Sequence, residues 1–129
     1  MRLLLDTHIW LWSLNDPARL GRRVLHELRN AENELWLSPI STWEALTLNA
    51  KGRIQLPQNI AEWVSQATAP LLEAPVTHAI SLAAAQVPFP HNDPADRLLA
   101  ATAQVLRLTL VTADVNLLGL GEISTLANR

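Results

Sequence analysis

The sequence predicts an α/β fold, a three-layer α/β/α sandwich around a mostly parallel central sheet. Two observations carry that expectation. Short apolar runs of strand length alternate with longer segments of helical periodicity, the pattern of strands joined by crossover helices. In addition, acidic residues stand at the ends of those runs. Leu3-Leu4-Leu5 leads straight into Asp6, and Leu108-Thr109-Leu110-Val111-Thr112 leads, one residue later, to Asp114. A parallel sheet gathers such strand ends, together with helix starts, along one edge, where its sites lie.

The elements follow in order. Leu3 to Leu5 reads as a short buried strand and Thr7 to Leu14 as a helix carrying Ile9, Trp10 and Trp12. Pro17 to Asn30 reads as a second helix, with Leu20, Val24 and Leu28 spaced at i, i+4 and i+8. Leu35-Trp36-Leu37 is a strand stopped by Ser38-Pro39. Ser41 is expected to begin the next helix, through Ala45, Leu46 and Leu48, with Gly52 as its C-cap. Pro57 to Ala69 is helical, with Ile60, Trp63 and Val64 inward. Leu71 to Val76 is a third strand weakened by Pro75, and Thr77 caps a helix over Ala79–Gln86. A loop with Pro88 and Pro90 precedes the most regular helix, Pro94 to about Leu106. Leu108–Thr112 and a short Ile123–Leu126 are the last strands.

The chain has 129 residues, 49% hydrophobic and 17% charged, which fits one folded domain over residues 1–129 with a sizeable core. It has no cysteine, so disulfides and thiolate metal sites are excluded and a cytoplasmic location is expected. No apolar stretch reaches the length of a membrane span, and three leucines are too few for a signal-peptide core. A net charge of −2 argues against a protein that coats nucleic acid, but not against a nuclease whose carboxylates are neutralised by cations.

Asp6, Asp96 and Asp114 are the acids of greatest interest, with Glu44 beside them, and each has an ordinary structural reading. Asp6 and Asp114 stand where a helix cap or turn begins. Ser41-Thr42-Trp43-Glu44 fits a capping box with Glu44 at N3. Asp93-Pro94-Ala95-Asp96 fits another start, with Asp93 as N-cap and Pro94 at N1. Asp6 is the hardest to explain that way, because a carboxylate abutting a fully apolar strand faces burial without a partner. Convergence of the acids would also be costly, since like charges about 4 Å apart repel by roughly 4 kcal/mol at an effective dielectric near 20. Protons or a divalent cation must then neutralise the cluster. Oxygen donors alone favour Mg²⁺ or Mn²⁺, ions that acidify water and clamp phosphate oxygens. That is the chemistry of phosphodiester hydrolysis.

The ordered set Leu-Leu-Leu-Asp6-Thr7, Ser41-Thr42-Trp43-Glu44, Asp96-Arg97-Leu-Leu-Ala-Ala-Thr-Ala and Leu110-Val111-Thr112-Ala113-Asp114 resembles the PIN-domain family. More closely it is similar to the VapC-type ribonuclease toxins of toxin–antitoxin pairs. The segment His91-Asn92-Asp93-Pro94-Ala95-Asp96-Arg97 is similar to a His-x-Asp-Pro-x-Asp-Arg signature in one branch of that family. The resemblance covers nearly the whole chain. It implies a Mg²⁺- or Mn²⁺-dependent endoribonuclease acting on tRNA or rRNA, usually dimeric, and inhibited by a cognate antitoxin bound across the active-site face. It assigns Asp6, Glu44, Asp96 and Asp114 as the catalytic, metal-binding acids, and leaves Asp93 as an additional acid. In that scheme Asp6 and Asp96 hold the principal metal, Asp114 completes its shell directly or through water, and Glu44 positions a water or a second ion. The implied products carry a 5′-phosphate and a 3′-hydroxyl.

Around these acids, Thr7 and Thr112 are candidates for orienting ligands, or simple cap and strand residues. Arg97 has a phosphate or Asp93 as partner, or a structural role. His91 reads as a loop histidine, His8 as a helix residue near the cleft, and Asn116 as a source of a water-mediated contact. Lys51 and Arg53, or the stretch Arg19, Arg22, Arg23 and Arg29, are candidates for RNA backbone contacts, against the ordinary reading of a solvated face. Of the five tryptophans, Trp10, Trp12 and Trp43 are expected near the cleft, either in the core or in a groove for an antitoxin helix.

The competing class is a binding module of the same fold that cleaves nothing. A phosphatase that begins with strand–Asp normally carries a second aspartate two residues on, where this chain has His8. A receiver-type phosphoacceptor needs an acidic pair at the first strand and a suitably placed lysine after the last strands, and neither is present.

Overall fold

The computed structural model describes residues 1–88 and 93–129; the expectations placed on Pro90, His91 and Asn92 lie outside these. Among the described residues five strands form one sheet in the order β3-β2-β1-β4-β5, every neighbouring pair parallel. They are β1 (Arg2–Leu5), β2 (Glu34–Leu37), β3 (Leu72–Glu73), β4 (Thr109–Thr112) and β5 (Ser124–Ala127). The helices are α1 (Thr7–Asn15), α2 (Arg22–Arg29), α3 (Pro39–Ala50), α4 (Ile60–Thr68), α5 (His78–Gln86), α6 (Pro94–Leu106) and α7 (Val115–Leu118). None of them is long and apolar enough to cross a membrane.

The three-leucine strand explains the layering. Leu4 points to one face and packs, with Leu110 of β4, against Ile80 of α5, Leu99 and Ala100 of α6, and Leu117 of α7. Leu3 and Leu5 point to the other, where Val111 joins them under Ile9 and Trp10 of α1, Val24 of α2, Ala45 of α3 and Ala67 of α4. Alternation along a strand covered on both sides requires apolar residues at every position, and Leu3, Leu4 and Leu5 are all buried.

The sheet order sets the location of the site. From central β1 the chain moves outward to β2 and β3, then crosses to the opposite side for β4 and β5. The order therefore reverses between β1 and β4, and open parallel sheets bind ligands in the crevice beyond the C-terminal ends of two such strands. Asp6 follows β1 and Asp114 lies just beyond β4. The Asp6 amide donates to the Val111 carbonyl at 3.0 Å, which carries the β1–β4 ladder one residue past Leu5.

Several boundaries differ from the sequence expectations, each for a local reason. The expected helix Pro17–Asn30 is two pieces, a 3₁₀ turn at Pro17–Arg19 and then α2. Leu20 and Gly21 are extended between them (ψ 134° and 158°). Asn128, just past β5, holds that break: the Gly21 amide donates to its Oδ1 at 2.6 Å, and its Nδ2 donates to the Arg19 carbonyl at 3.1 Å. Only glycine fits there, because a Cβ on Gly21 would stand 1.9 Å from the Arg129 carbonyl oxygen.

The helix expected from Ser41 begins instead at Pro39, capped by Ser38, whose hydroxyl accepts from the Ile40 amide at 3.1 Å. A serine N-cap followed by proline at N1 is a complete start signal, and it overrides the capping-box reading of Ser41 and Glu44. At the other end Lys51 is the C-cap and Gly52 follows it at φ +72°. The Gly52 amide donates to Asn49 and the Arg53 amide to Leu48, a Schellman closure. Helix α4 begins at Ile60 rather than Pro57, because Asn59 caps it through the Glu62 amide and Glu62 accepts from the Asn59 side chain. Strand β3 is cut to two residues, since Pro75 has no N–H to continue the ladder. The one-turn helix α7, capped by Asp114, was not expected.

Candidate active site

The crevice between β1 and β4 opens into a pocket of about 520 Å³ that brings together Asp6, Glu44, Asp96 and Asp114, with Asp93 as a fifth acid. The sequence-predicted acids thus meet, although they come from four different elements. His8, Trp12 and Arg19 complete its polar and aromatic lining.

Two buried threonines position the acids. Thr112, the last residue of β4, is fully buried; its hydroxyl donates to Asp6 Oδ2 at 2.6 Å and accepts from the Asp114 amide at 3.0 Å. This one side chain therefore fixes the spacing of the acids on either side of the switch point. Asp6 Oδ1 accepts from the Thr7 amide at 2.8 Å, capping α1. Thr7 is also buried, and its hydroxyl makes a short bond to Glu44 Oε1. It is hydrogen-bonded to the buried Ser41 hydroxyl at 2.9 Å as well. Glu44 is thus held by Thr7 across the α1–α3 contact, and Ser41 supports that bridge rather than capping a helix.

On the far side of the pocket Asp93 is the N-cap of α6, as its sequence predicts, accepting from the Ala95 and Asp96 amides at 3.0 and 3.3 Å. Asp96 occupies the third helical position, and Asp114 caps α7 by accepting from the Asn116 amide at 2.9 Å. The caps orient carboxylates whose helix starts all face one crevice.

Burial and repulsion raise the proton affinity of the cluster. For Asp6, burial raises the pKa above the ordinary carboxylate value, opposed mainly by the Thr112 hydroxyl and the Thr7 amide. Glu44 is raised by burial, opposed by the Thr7 hydroxyl and reinforced by the charge of Asp6. Asp96 is pushed up to about 8, first by burial and then by the charges of Asp93, Asp6, Asp114 and Glu44. His8 lowers both Asp6 and Glu44 when charged. A set of carboxylates that resists ionisation together is one that a cation stabilises.

Among the described residues no three of these acids stand in ligand geometry for a metal ion. The donor set nevertheless fits a hard divalent cation. Its carboxylates supply hard oxygen donors, and the pocket leaves room for the several waters that Mg²⁺ retains when only one or two carboxylates bind it directly.

Other expectations are settled by contacts. The Arg97 guanidinium donates to the carbonyls of Ala84 and Val87 at 3.3 and 2.8 Å, closing the end of α5; it pairs with neither Asp93 nor the pocket. Lys51, Arg53, Arg22, Arg23 and Arg29 do not line the pocket, whereas Arg19 does. Trp10 is buried, donates to the Ala67 carbonyl at 3.3 Å and packs on Trp63. Trp12 lines the pocket, and Trp43 is 62% exposed.

The chain matches the PIN domain over residues 3–122. It is 34% identical over 114 residues to Ribonuclease VapC22 of Mycobacterium tuberculosis (strain ATCC 25618 / H37Rv), covering 87% of this chain and 86% of that protein. Its fold is similar to a chain of VapBC2 from Rickettsia felis, solved bound to a promoter DNA fragment, with a TM-score of 0.76, 16% identity and full coverage of both chains. A chain of DNA-bound VapBC from Salmonella typhimurium gives 0.75 at 14% identity, covering 98% of each. The chain belongs to the PIN-domain family.

Proposed function

We propose that this protein is a metal-dependent endoribonuclease toxin that hydrolyses RNA phosphodiester bonds and is neutralised by a cognate antitoxin. The observation that carries the reading is the convergence of Asp6, Glu44, Asp96 and Asp114 in one pocket at the switch point of the sheet. The 34% identity to a protein named as a ribonuclease supports it.

Asp6, Asp96 and Asp114 would hold Mg²⁺ or Mn²⁺, with Glu44 beside them. The ion supplies Lewis acidity, acidifying water and drawing charge from a phosphate oxygen. The chain's own residues prepare the site for it. Thr112 and the Thr7 amide keep Asp6 oriented and favour its ionised form. Thr7 binds one oxygen of Glu44, leaving Oε2 as the acceptor that orients an attacking water. That water attacks phosphorus in line and releases a proton to solvent, the bond to the 3′ oxygen breaks, and the leaving oxygen takes a proton from solvent, giving a 5′-phosphate and a 3′-hydroxyl.

The RNA is a tRNA or rRNA, the protein a cytoplasmic homodimer, and residues 1–129 one nuclease domain; these complete the proposal. An apolar groove of about 400 Å³ beside exposed Trp43 and Leu72 is consistent with an antitoxin helix. Calorimetric titration with Mn²⁺ at pH 7.5 tests the metal site, and growth arrest on expression tests the toxin. Binding lost in Asp96→Asn, and arrest lost in Asp6→Asn or on antitoxin co-expression, are the expected results. Equal Mn²⁺ binding by Asp96→Asn, or equal arrest by Asp6→Asn, would favour the non-catalytic binding module.

A further inference from the structure

We propose that Trp12 and Arg19 form a nucleotide subsite beside the acids, in which the Arg19 guanidinium takes an RNA phosphate adjacent to the scissile one and Trp12 offers a stacking face. The inference rests on the ribonuclease reading and names the substrate contact next to its catalytic pocket.

Of the lysines and arginines among the described residues, Arg19 alone lines the acidic pocket. A polyanion must still approach five carboxylates there, so a cation at the rim has a defined task. The Arg19 ζ carbon sits 4.4 Å from the centre of the Trp12 ring, and the His8 ring lies 5.8 Å from that ring. Arg19 is exposed and makes no ion pair with any acid among the described residues. Stacked on the indole rather than paired with a carboxylate, the guanidinium keeps N–H donors for an incoming anion. A phosphate-binding cation beside an aromatic face is the combination with which proteins hold single-stranded RNA.

The position is built rather than incidental. Arg19 ends the 3₁₀ turn, and its carbonyl and the Gly21 amide are both held by Asn128. The break at Gly21 separates Arg19 from Arg22 and Arg23, which fall on α2 and do not line the pocket. Had Pro17–Asn30 been one helix, Arg19 would have continued the α2 spiral with the other arginines.

The test is fluorescence anisotropy of a fluorescein-labelled single-stranded RNA 12-mer with the full chain in Ca²⁺, over a series of KCl concentrations. Arg19→Ala is expected to weaken binding by about three- to tenfold. The slope of log K against log salt should become shallower by about 0.7, the value for one lost phosphate contact on a single strand. Arg19→Lys should keep the slope, Trp12→Leu should weaken binding more than Trp12→Phe, and Arg22→Ala should leave both affinity and slope unchanged. In Mg²⁺, Arg19→Ala should raise KM with kcat within about twofold. An unchanged salt slope in Arg19→Ala, or an equal loss in Arg22→Ala, would overturn the subsite while leaving the nuclease intact. Failure of the ribonuclease reading appears separately, as no Mg²⁺-dependent cleavage by the wild-type protein.

Discussion

Replacing Thr112 with valine removes one hydroxyl from a fully buried site while nearly conserving volume. Two hydrogen bonds are lost with it: the donation to Asp6 Oδ2 at 2.6 Å and the acceptance from the Asp114 amide at 3.0 Å. A hydrogen bond to a charged group contributes about 1.5–3 kcal/mol, and the part-buried Asp114 amide left without its partner costs up to about 1 kcal/mol. The expected destabilisation at pH 8 is therefore about 2–4 kcal/mol. The sign of its pH dependence follows from Asp6, whose pKa burial raises and the Thr112 hydroxyl lowers. Without the hydroxyl the folded pKa rises further, so the Asp6 part of the loss is full above that pKa. It fades as pH falls through the folded wild-type pKa, below which Asp6 is protonated in both proteins. Urea unfolding at pH 8 and pH 4.5 measures both effects, and Thr112→Ser should recover most of the stability. A loss below about 0.5 kcal/mol at pH 8, or an equal loss at both pH values, would refute the claim that Thr112 holds the ionised Asp6.

The raised Asp96 pKa makes a second prediction. The folded state binds that proton more tightly, with a pKa of about 8 against 3.8, so metal-free protein should lose stability as pH rises between those values. Thermal melts in EDTA at pH 5.5, 7 and 8.5 should show the fall, Mg²⁺ should reverse it most at the highest pH, and Asp96→Asn should flatten it; stability that rises over this range would contradict the charge-cluster account. Gly21→Ala should lower stability by about 1–3 kcal/mol, because its Cβ meets the Arg129 carbonyl oxygen at 1.9 Å, and should displace the turn that carries Arg19. Chemical denaturation checks the first effect, and RNA affinity at low salt checks the second.

Much of this was legible in the sequence because it was written in local chemistry. Leu3-Leu4-Leu5 next to Asp6 specifies a strand buried on both faces with an acid at its end, and α6 is fixed by Asp93 and Pro94 at its start. The misplaced features depend on distant partners or on competing signals. The break before α2 comes from Asn128, 107 residues from Gly21, which no periodicity within Pro17–Asn30 reveals. Ser41 followed by Glu44 mimics a capping box, but Ser38-Pro39 is the better start and releases both residues for the Thr7 bridge. Arg97, next to Asp96 in sequence, turns instead to the carbonyls of Ala84 and Val87, since neighbours in a helix do not share a face. The likeness in Asp6, Glu44, Asp96 and Asp114 located the acids; the choice of Arg19 among the arginines needed the folded turn.

The most direct test of the four-acid nuclease is cleavage of total cellular RNA by purified, antitoxin-free protein in Mg²⁺, Mn²⁺ or EDTA, beside Asp6→Asn. Discrete cuts that require the metal, vanish in the variant and leave 5′-phosphate ends are the predicted result. No cleavage in either metal, or equal cleavage by Asp6→Asn, would contradict it.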